Sequence, residues 1–381
     1  MRKRTQMRRL LTALAVIILL STTAKAASLD VSDSGALADD LFREQSQAAG
    51  VGKLEAALPD GAEELLGNMS VTDVLDPPGA MSKLFNGITS RLREVFAAAL
   101  KNTVVLVMAA MFSGLFSSAF PDSNGNYARL AGVLAISAVS VASVNTFIGM
   151  GANVMDELVT FSHMLLPTLT AAAAAGGAVT SAAAKYAATV LFLDIMLSLM
   201  KNVILPLIYA YIATSVAEAA VGGDTLSGAS KLLKWLAKTA RTAIVLIFIT
   251  YISITGVITS ATDAVAVRAA RVAMSTVLPV VGGMLSDAAD AVLSGASVLR
   301  NAIGVFGMIA VAATCAVPFL RLGINYLLFK AAGGLSGAVA DSSITRLIDA
   351  FGAAFGLTLG MVGVSAVMLF VSIVAAIKTV T

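Results

Sequence analysis

The chain has 381 residues, of which 58% are hydrophobic and only 13% are charged, with a formal net charge of +3. A soluble globular domain carries roughly 25% charged residues, so this composition excludes a single water-soluble core. The apolar residues form long continuous runs without alternation, which favours membrane-spanning helices over a membrane β-barrel. The small net charge is spread over short loops and gives no indication of nucleic-acid binding. We therefore predict an all-α, polytopic membrane protein that contacts the lipid bilayer.

Residues 1–26 have the pattern of a secretory signal peptide. Basic residues precede an apolar region from Leu10 to Leu20, and Ala24-Lys25-Ala26 matches a small-x-small cleavage site. This apolar region of eleven residues is too short to cross a bilayer. We predict cleavage after Ala26, with retention as an anchor as the alternative. In either case the following residues begin outside the cytoplasm.

Residues 27–101 form an extracytoplasmic segment of two kinds. The part up to residue 80 is rich in Asp and Glu, and it ends at Pro77-Pro78-Gly79. Residues 81–96 then carry apolar side chains at helical spacing, with basic side chains on the opposite face. We expect a solvated acidic linker containing short helices, with partner binding as the alternative. An amphipathic helix along the membrane surface is expected to follow it.

The remaining residues, 102–381, form a predicted multi-span membrane domain. The predicted spans are 102–120, 128–151, 186–217, 242–262, 302–330 and 352–377. Two shorter apolar segments, 160–176 and 272–283, each contain a Leu-Pro pair. Proline and glycine at membrane depth need protein or water around them, so these segments are predicted to be re-entrant or half-helices.

The prolines indicate an internal repeat. Leu166-Pro167 and Leu278-Pro279 are 112 residues apart, and Pro206 and Pro318 have the same separation. We therefore predict two tandem repeats, about 128–241 and 242–353, followed by a final span at 352–377. Duplicated halves with broken helices are common in membrane transporters.

A basic amphipathic segment fixes the predicted topology. Lys231, Lys234, Lys238 and Arg241 share one side of residues 231–241, which the positive-inside rule places at the cytoplasmic face. That placement requires six spans and two re-entrant segments. An eight-span alternative moves this segment to the outside.

No enzyme motif is present in the sequence. It contains no GxxxxGK[ST] phosphate loop, no HExxH metal helix and no GxSxG nucleophile elbow, so we predict no catalytic activity, metal or cofactor. The lone histidine, His163, has no carboxylate or thiol partner at ligand spacing. The lone cysteine, Cys315, lies within an apolar run and is expected to pack there.

Charged residues within apolar segments are the stronger functional candidates, because their desolvation is costly. Asp194 and Lys201 are seven positions apart and share a helix face, but about 10 Å along the axis prevents direct pairing. Each therefore needs its own partner or a wet cavity. Asp287, Asp290 and Arg300 pose the same question in the second repeat, although a solvated polar stripe at the interface is the alternative for the two aspartates.

Gly352, Gly356 and Gly360 recur at four-residue spacing in the final span. Small residues along one face allow close backbone approach between helices. This pattern predicts a helix–helix seam, within the chain or to a partner.

The segment LPVVGGMLSDAADAVLSGASVLRNAIGVFG, from Leu278 to Gly307, resembles the signature region of the stage III sporulation protein AE family of endospore-forming bacteria. The order of features along residues 102–381 is also similar. The resemblance implies a multi-pass protein of the mother-cell membrane that faces the forespore. It also implies membership of a secretion-like channel complex required for late forespore development. The implied partners are other membrane proteins of the stage III sporulation A operon, including ring-forming components and an ATPase.

These observations lead to a hypothesis and its alternatives. The chain is predicted to be a non-enzymatic, export-apparatus-like or permease-like subunit of that channel. Its two Leu-Pro/Gly-Gly elements are predicted to pack together and line or gate a path. The residues of this candidate path are Pro167, Gly176, Gly177, Pro279, Gly282, Gly283, Asp287 and Asp290. The alternatives are a stand-alone secondary transporter, a structural membrane scaffold and, least supported, an intramembrane enzyme.

Overall fold

The computed structural model describes residues 35–75, 77–119, 123–175, 179–221, 226–277, 282–338 and 340–377. Side chains are described for Tyr127 and for residues 42–74, 78–116, 130–175, 188–221, 226–255, 293–338 and 340–377. The chain forms two compact units, Met1–Leu41 and Phe42–Thr381. In the first unit, only the start of a helix at residues 35–41 is described.

Helices form almost all of the described part, which contains no strand. They are α1 Gly35–Ala49, α2 Val51–Glu55, α3 Asp60–Leu66, α4 Pro77–Ala119, α5 Ser123–Ala175, α6 Val179–Leu199, α7 Leu205–Val221, α8 Ser227–Val277, α9 Gly282–Ser336 and α10 Ser342–Ile377. A 3-10 turn covers Asp73–Leu75, and a π-helical turn, Met200–Ile204, joins α6 to α7.

Five helical segments of the described residues are long and apolar enough to cross a membrane. They are Pro78–Phe116, Leu130–Ala175, Ala188–Val221, Leu293–Ser336 and Ser342–Ile377. This confirms the prediction of an all-helical, multi-pass membrane protein. The predicted span 242–262 lies within α8, which is not among the five, and its side chains after residue 255 are not described.

Several helices are longer than a bilayer requires. Helices α5, α8 and α9 contain 53, 51 and 55 residues. At 1.5 Å per residue each is about 80 Å long, whereas the hydrocarbon core of a bilayer is about 30 Å thick. These helices therefore extend well beyond the apolar layer.

Helix α5 corrects one expectation. Segments 128–151 and 160–176 were predicted to be separate, but residues up to Ala175 form one helix with Pro167 in its interior. Proline removes one backbone hydrogen bond, so other contacts must hold the helix together. Leu165, Leu166 and Leu169 have exposures of 0–2% and anchor this turn in the core. The structure therefore does not show the predicted break at Leu166-Pro167.

The other predicted break and the repeat are not shown either. Pro279 and residues 176–178 lie outside the described residues, whereas Gly282 and Gly283 are the first residues of α9. Pro318 lies in the interior of α9, but its predicted counterpart Pro206 directly follows the π-helical turn. The tandem repeat stays a prediction.

The acidic N-terminal segment packs into the helical core instead of forming a solvated linker. Leu54, Leu66 and Val71 are at most 5% exposed and belong to the same core cluster as residues of α5 and α9. The segment is rich in charged residues, which suggested that it is solvated. Its fewer apolar residues nevertheless form a buried face. The expectation of a solvated linker was therefore wrong for residues 42–75.

A carboxylate of α5 helps to hold this segment in place. Glu157 accepts a hydrogen bond from the backbone N–H of Gly61, in the first turn of α3. The first N–H groups of a helix have no partner within the helix, so this hydrogen bond satisfies one of them. A Cβ at Gly61 would lie 3.3 Å from the carbonyl oxygen of Thr314, which shows how closely α3 approaches α9.

Helices α9 and α10 form an antiparallel pair with glycines at their contact. A Cβ at Gly352 would lie 3.2 Å from Cβ of Phe329, and one at Gly356 would lie 2.9 Å from the Tyr326 ring. Phe355 then packs against Phe329, with ring centroids 4.9 Å apart. The absent side chains allow these aromatic rings to fill the seam between the helices.

This seam makes a stability prediction. Gly356→Leu should lower the free energy of unfolding of the purified protein by about 1–3 kcal/mol, because the added carbons overlap the Tyr326 ring. Thermal unfolding in detergent measures the effect. Gly149→Leu is the matched control, since a Cβ at Gly149 meets nothing within 4 Å. Equal melting temperatures for the two variants would contradict the role of Gly356 in the seam.

Candidate functional site

One ion pair and one histidine–carboxylate contact connect α5 to α6 and to the π-helical turn that follows it. Lys201 Nζ donates to both carboxylate oxygens of Asp156, at 2.7 Å and 2.6 Å. His163 Nε2 lies 3.2 Å from Asp194 Oδ1. Asp156 and His163 are seven positions apart, as are Asp194 and Lys201, and the two stretches of chain are antiparallel. The two contacts therefore form rungs about 10 Å apart along the helix axis. We call Asp156, His163, Asp194 and Lys201 the charge ladder.

The charge ladder lies on the outer surface of the helices. The exposed fractions of its side chains are 57% for Asp156, 37% for Lys201, 45% for His163 and 43% for Asp194. Both helices belong to candidate spans, at Leu130–Ala175 and Ala188–Val221. Half-exposed charges are costly against lipid tails, even when they are paired. The outer side of the ladder therefore requires water or another polar surface.

The local backbone explains the position of Lys201. Pro206 has no N–H and cannot bond to the carbonyl of Asn202, one turn earlier. The chain is π-helical from Met200 to Ile204, directly before this proline, and α-helical after it. Turns of this kind are frequent at functional sites, because they shift the face on which a side chain lies. Met200 itself is fully buried beside the ladder.

A further polar contact joins α5 to the next helix, α7. Tyr209 of α7 donates a hydrogen bond of 3.0 Å to Asn145 Oδ1 of α5. Both residues also line an apolar groove of about 700 Å³ between α5 and α7. A polar seam therefore follows α5 from Asn145 to His163, with the groove at one end.

The chain is similar to proteins of one known family. The family model for stage III sporulation protein AE matches residues 63–379, which is most of the chain. The chain belongs to this family. The stage III sporulation protein AE of Bacillus subtilis (strain 168) is similar, with 22% identity over 273 residues that cover 71% of this chain and 68% of that protein. No solved structure matches the chain.

The structure gives different partners to the charged residues that were predicted to lie within the membrane. Asp194 and Lys201 do not pair with each other, and their partners are His163 and Asp156. His163 has no carboxylate at ligand spacing in the sequence, and its partner Asp194 comes from a neighbouring helix. Arg300 is only 3% exposed, and its Nε has no hydrogen-bond partner among the described residues.

The structure describes only part of the candidate path of the family member. Pro167 is half-buried within α5. Gly176, Gly177 and Pro279 lie outside the described residues. Gly282, Gly283, Asp287 and Asp290 lie in the first turns of α9, where side chains are not described. The gating role of these residues stays a prediction.

Sequence reasoning missed Asp156, although a signal for it was present. Asp156 and His163 have the same seven-residue spacing as Asp194 and Lys201. In antiparallel helices, equal spacing brings the two pairs into register, with an acid opposite a base in each rung. Within the described residues no group of three or more His, Cys, Asp or Glu side chains is arranged to hold a metal ion.

Two residues of the predicted basic face of α8, Lys234 and Arg241, contact other helices, whereas Lys231 and Lys238 are exposed. Lys234 Nζ lies 5.6 Å from the centroid of the Tyr211 ring, in a cation–π contact. Burial lowers the pKa of Lys234, and the nearby Lys238 and Lys330 lower it further. Gly360, predicted to lie in a helix seam, lies against the guanidinium of Arg241, which occupies the position of the missing side chain.

The charge ladder predicts coupling between its partners. In a double-mutant cycle of Asp156→Asn and Lys201→Gln, the change in unfolding free energy of the double variant should differ from the sum of the two single changes by roughly 0.5–3 kcal/mol. Each single variant leaves one charge without its partner, whereas the double variant leaves none. Thermal or denaturant unfolding in detergent measures the cycle.

A distant pair of substitutions supplies the control for this cycle. Asp156→Asn combined with Asp349→Asn should be additive within about 0.5 kcal/mol, because Asp349 pairs with Lys330 elsewhere. Additivity of the Asp156 and Lys201 variants as well would contradict an energetically significant rung.

Proposed function

We propose that this family member is a membrane subunit of a secretion-like channel that connects the mother cell to the forespore and supports late forespore development. It acts as an export-apparatus-like or permease-like component in the mother-cell membrane, with its N-terminal segment outside the cytoplasm. Its partners are other membrane proteins of the stage III sporulation A operon, including ring-forming components and an ATPase. Membership of the sporulation family and five apolar helices support this proposal.

The observation that carries the proposal is the outward-facing charge ladder. Four ionisable side chains are 37–57% exposed on helices that are otherwise apolar enough to cross a membrane. Lipid tails offer no hydrogen bonds to such groups, so the α5–α6 face is suited to a polar neighbour. In a multiprotein channel that neighbour is an adjacent subunit or a water-filled path. We assign this face to the assembly.

One contact supports the proposed path through the two Leu-Pro elements. A Cβ at Gly307, the last residue of the signature region, would lie 2.6 Å from a methyl carbon of Leu165. Leu165 directly precedes Leu166-Pro167, so the end of the signature region is adjacent to the first Leu-Pro element. We propose that this close contact between α5 and α9 holds together the two elements that line or gate the path, with Asp287 and Asp290 nearer the start of α9.

A sporulation complementation assay tests the channel role. Asp156→Asn and Lys201→Gln should each lower the number of heat-resistant spores by at least tenfold while protein levels in the membrane stay normal. Asp287→Ala/Asp290→Ala should have the same effect if these carboxylates line the path. Arg93→Gln is the control, since this exposed α4 residue lies outside both regions. Normal spore numbers at normal protein levels in all of the test variants would exclude these sites from the function.

A secondary transporter is the second candidate, and the His163–Asp194 rung favours it. Histidine changes charge near physiological pH, and membrane carboxylate–histidine pairs are suited to proton relay. A transporter would move a solute or ion by itself, whereas a channel subunit requires its partners.

Flux through liposomes that contain only the purified chain separates these two functions. The channel proposal predicts no solute or proton flux above that of empty liposomes at pH 6 or pH 8. Flux that is abolished by His163→Asn or Asp194→Asn would overturn the channel proposal and support a transporter.

A further inference from the structure

A second polar site lies away from the charge ladder, in a cavity between α4, α5 and α9. Its volume is about 330 Å³, which is large enough for a small polar headgroup. Its polar lining consists of Arg91, Glu94, Asn102, Thr146, Arg321 and Asn325. Apolar side chains of the same three helices form the rest of its wall. Such a mixed lining suits a ligand with a charged part and an apolar part.

Arg321 is the unusual residue of this cavity. It lies in the candidate span Leu293–Ser336, three positions after Pro318. Its guanidinium makes no ion pair or side-chain hydrogen bond within the part of the chain that the structure describes. Arg321 is exposed on the helix surface, so in a bilayer its guanidinium faces a neighbour outside the chain, and an anion there offsets the cost of a cation on an apolar span.

Arg91 is fixed beside the same cavity by an ion pair. Its Nη2 lies 2.5 Å from Glu64 Oε1, which leaves the other donors of the guanidinium available. The lining contains two arginines and Glu94, and Glu64 balances the charge of Arg91, so Arg321 is the guanidinium of this cavity that lacks an ion pair within the described residues. Arginine binds phosphate oxygens through paired N–H donors, so two arginines from different helices in the lining of one cavity suit a phosphate group.

The position along α4 indicates where this cavity lies relative to the membrane. The α4 residues before Asn102 include Arg91, Arg93 and Glu94, whereas the residues after it are almost entirely apolar. The cavity therefore lies where α4 changes from a polar to an apolar surface. Lipid phosphates occupy the same boundary in a bilayer.

We propose that this cavity binds the phosphate of an anionic phospholipid with a hydroxyl-bearing headgroup. Arg321 and Arg91 bind the phosphate, and the apolar wall contacts the start of the acyl chains. Glu94 accepts only hydrogen bonds, so it suits a headgroup hydroxyl and disfavours a second anionic group. Phosphatidylglycerol has this combination, whereas phosphatidylcholine has the phosphate but neither the hydroxyls nor the net charge.

Thermal unfolding of the full-length protein in neutral detergent tests the proposal. Phosphatidylglycerol should raise the unfolding temperature of the wild-type protein in a saturable way, and phosphatidylcholine should have little effect. Arg321→Gln should weaken the response to phosphatidylglycerol about tenfold or more, because it removes charge-assisted hydrogen bonds. Arg93→Gln, an exposed arginine of α4 outside the cavity, should respond like the wild type.

Three further comparisons distinguish lipid binding from binding of a free anion and from a folding defect of the variant. Inorganic phosphate at millimolar concentration should not reproduce the shift, and an equal shift would overturn the lipid assignment. Equal responses to the two lipids by the wild-type protein would overturn the proposal even if Arg321→Gln does not fold. Equal phosphatidylglycerol responses of folded Arg321→Gln and Arg93→Gln would also overturn it.

Discussion

Two neighbouring carboxylates on α5 connect the parts of this molecule. Asp156 is directed towards Lys201 at the end of α6, while Glu157 accepts a hydrogen bond from Gly61 at the start of α3. Adjacent positions on a helix are separated by about 100°, so a single Asp-Glu pair reaches two different elements. One carboxylate thereby holds the N-terminal segment against the core, and the other fixes the register of α5 against the following helices. The buried side chains Met155 and Leu158, on either side, keep this turn in place.

The fold follows from the requirement that backbone groups in an apolar environment bond within the chain. This requirement, together with the hydrophobic runs, makes the membrane helices predictable from sequence, and long apolar helical segments of the structure overlap the predicted spans 102–120, 186–217, 302–330 and 352–377. The continuity of α5 through Pro167 was not predictable in the same way. Proline weakens a helix locally, but the burial of Leu165, Leu166 and Leu169 is a tertiary effect that keeps it continuous. A local rule gave the wrong answer because packing opposes it.

Only two of the four residues of the charge ladder, Asp194 and Lys201, were predictable from the sequence. The apolar surroundings of Asp194 and Lys201 marked both residues as needing partners. The partners themselves are 31 and 45 positions away, on a helix whose orientation the sequence does not specify. Asp156 was also inconspicuous, because it lies between two apolar segments that were expected to be separate. Once α5 is one continuous helix antiparallel to α6, the equal spacing of the charges makes the two rungs a consequence of the register.

The charges of the ladder favour contact with a partner over conduction of a charged solute. The Asp156–Lys201 rung is neutral, and both oxygens of its carboxylate already accept hydrogen bonds from Lys201. A neutral, internally bonded pair attracts a passing ion weakly, but it still offers the third N–H of Lys201 to an acceptor on an adjacent surface. The His163–Asp194 rung is neutral only when the imidazole is protonated, and otherwise it carries one negative charge. The ladder therefore presents a surface whose net charge is zero or −1, which suits a polar or basic neighbouring helix and supports placing the α5–α6 face within an assembly.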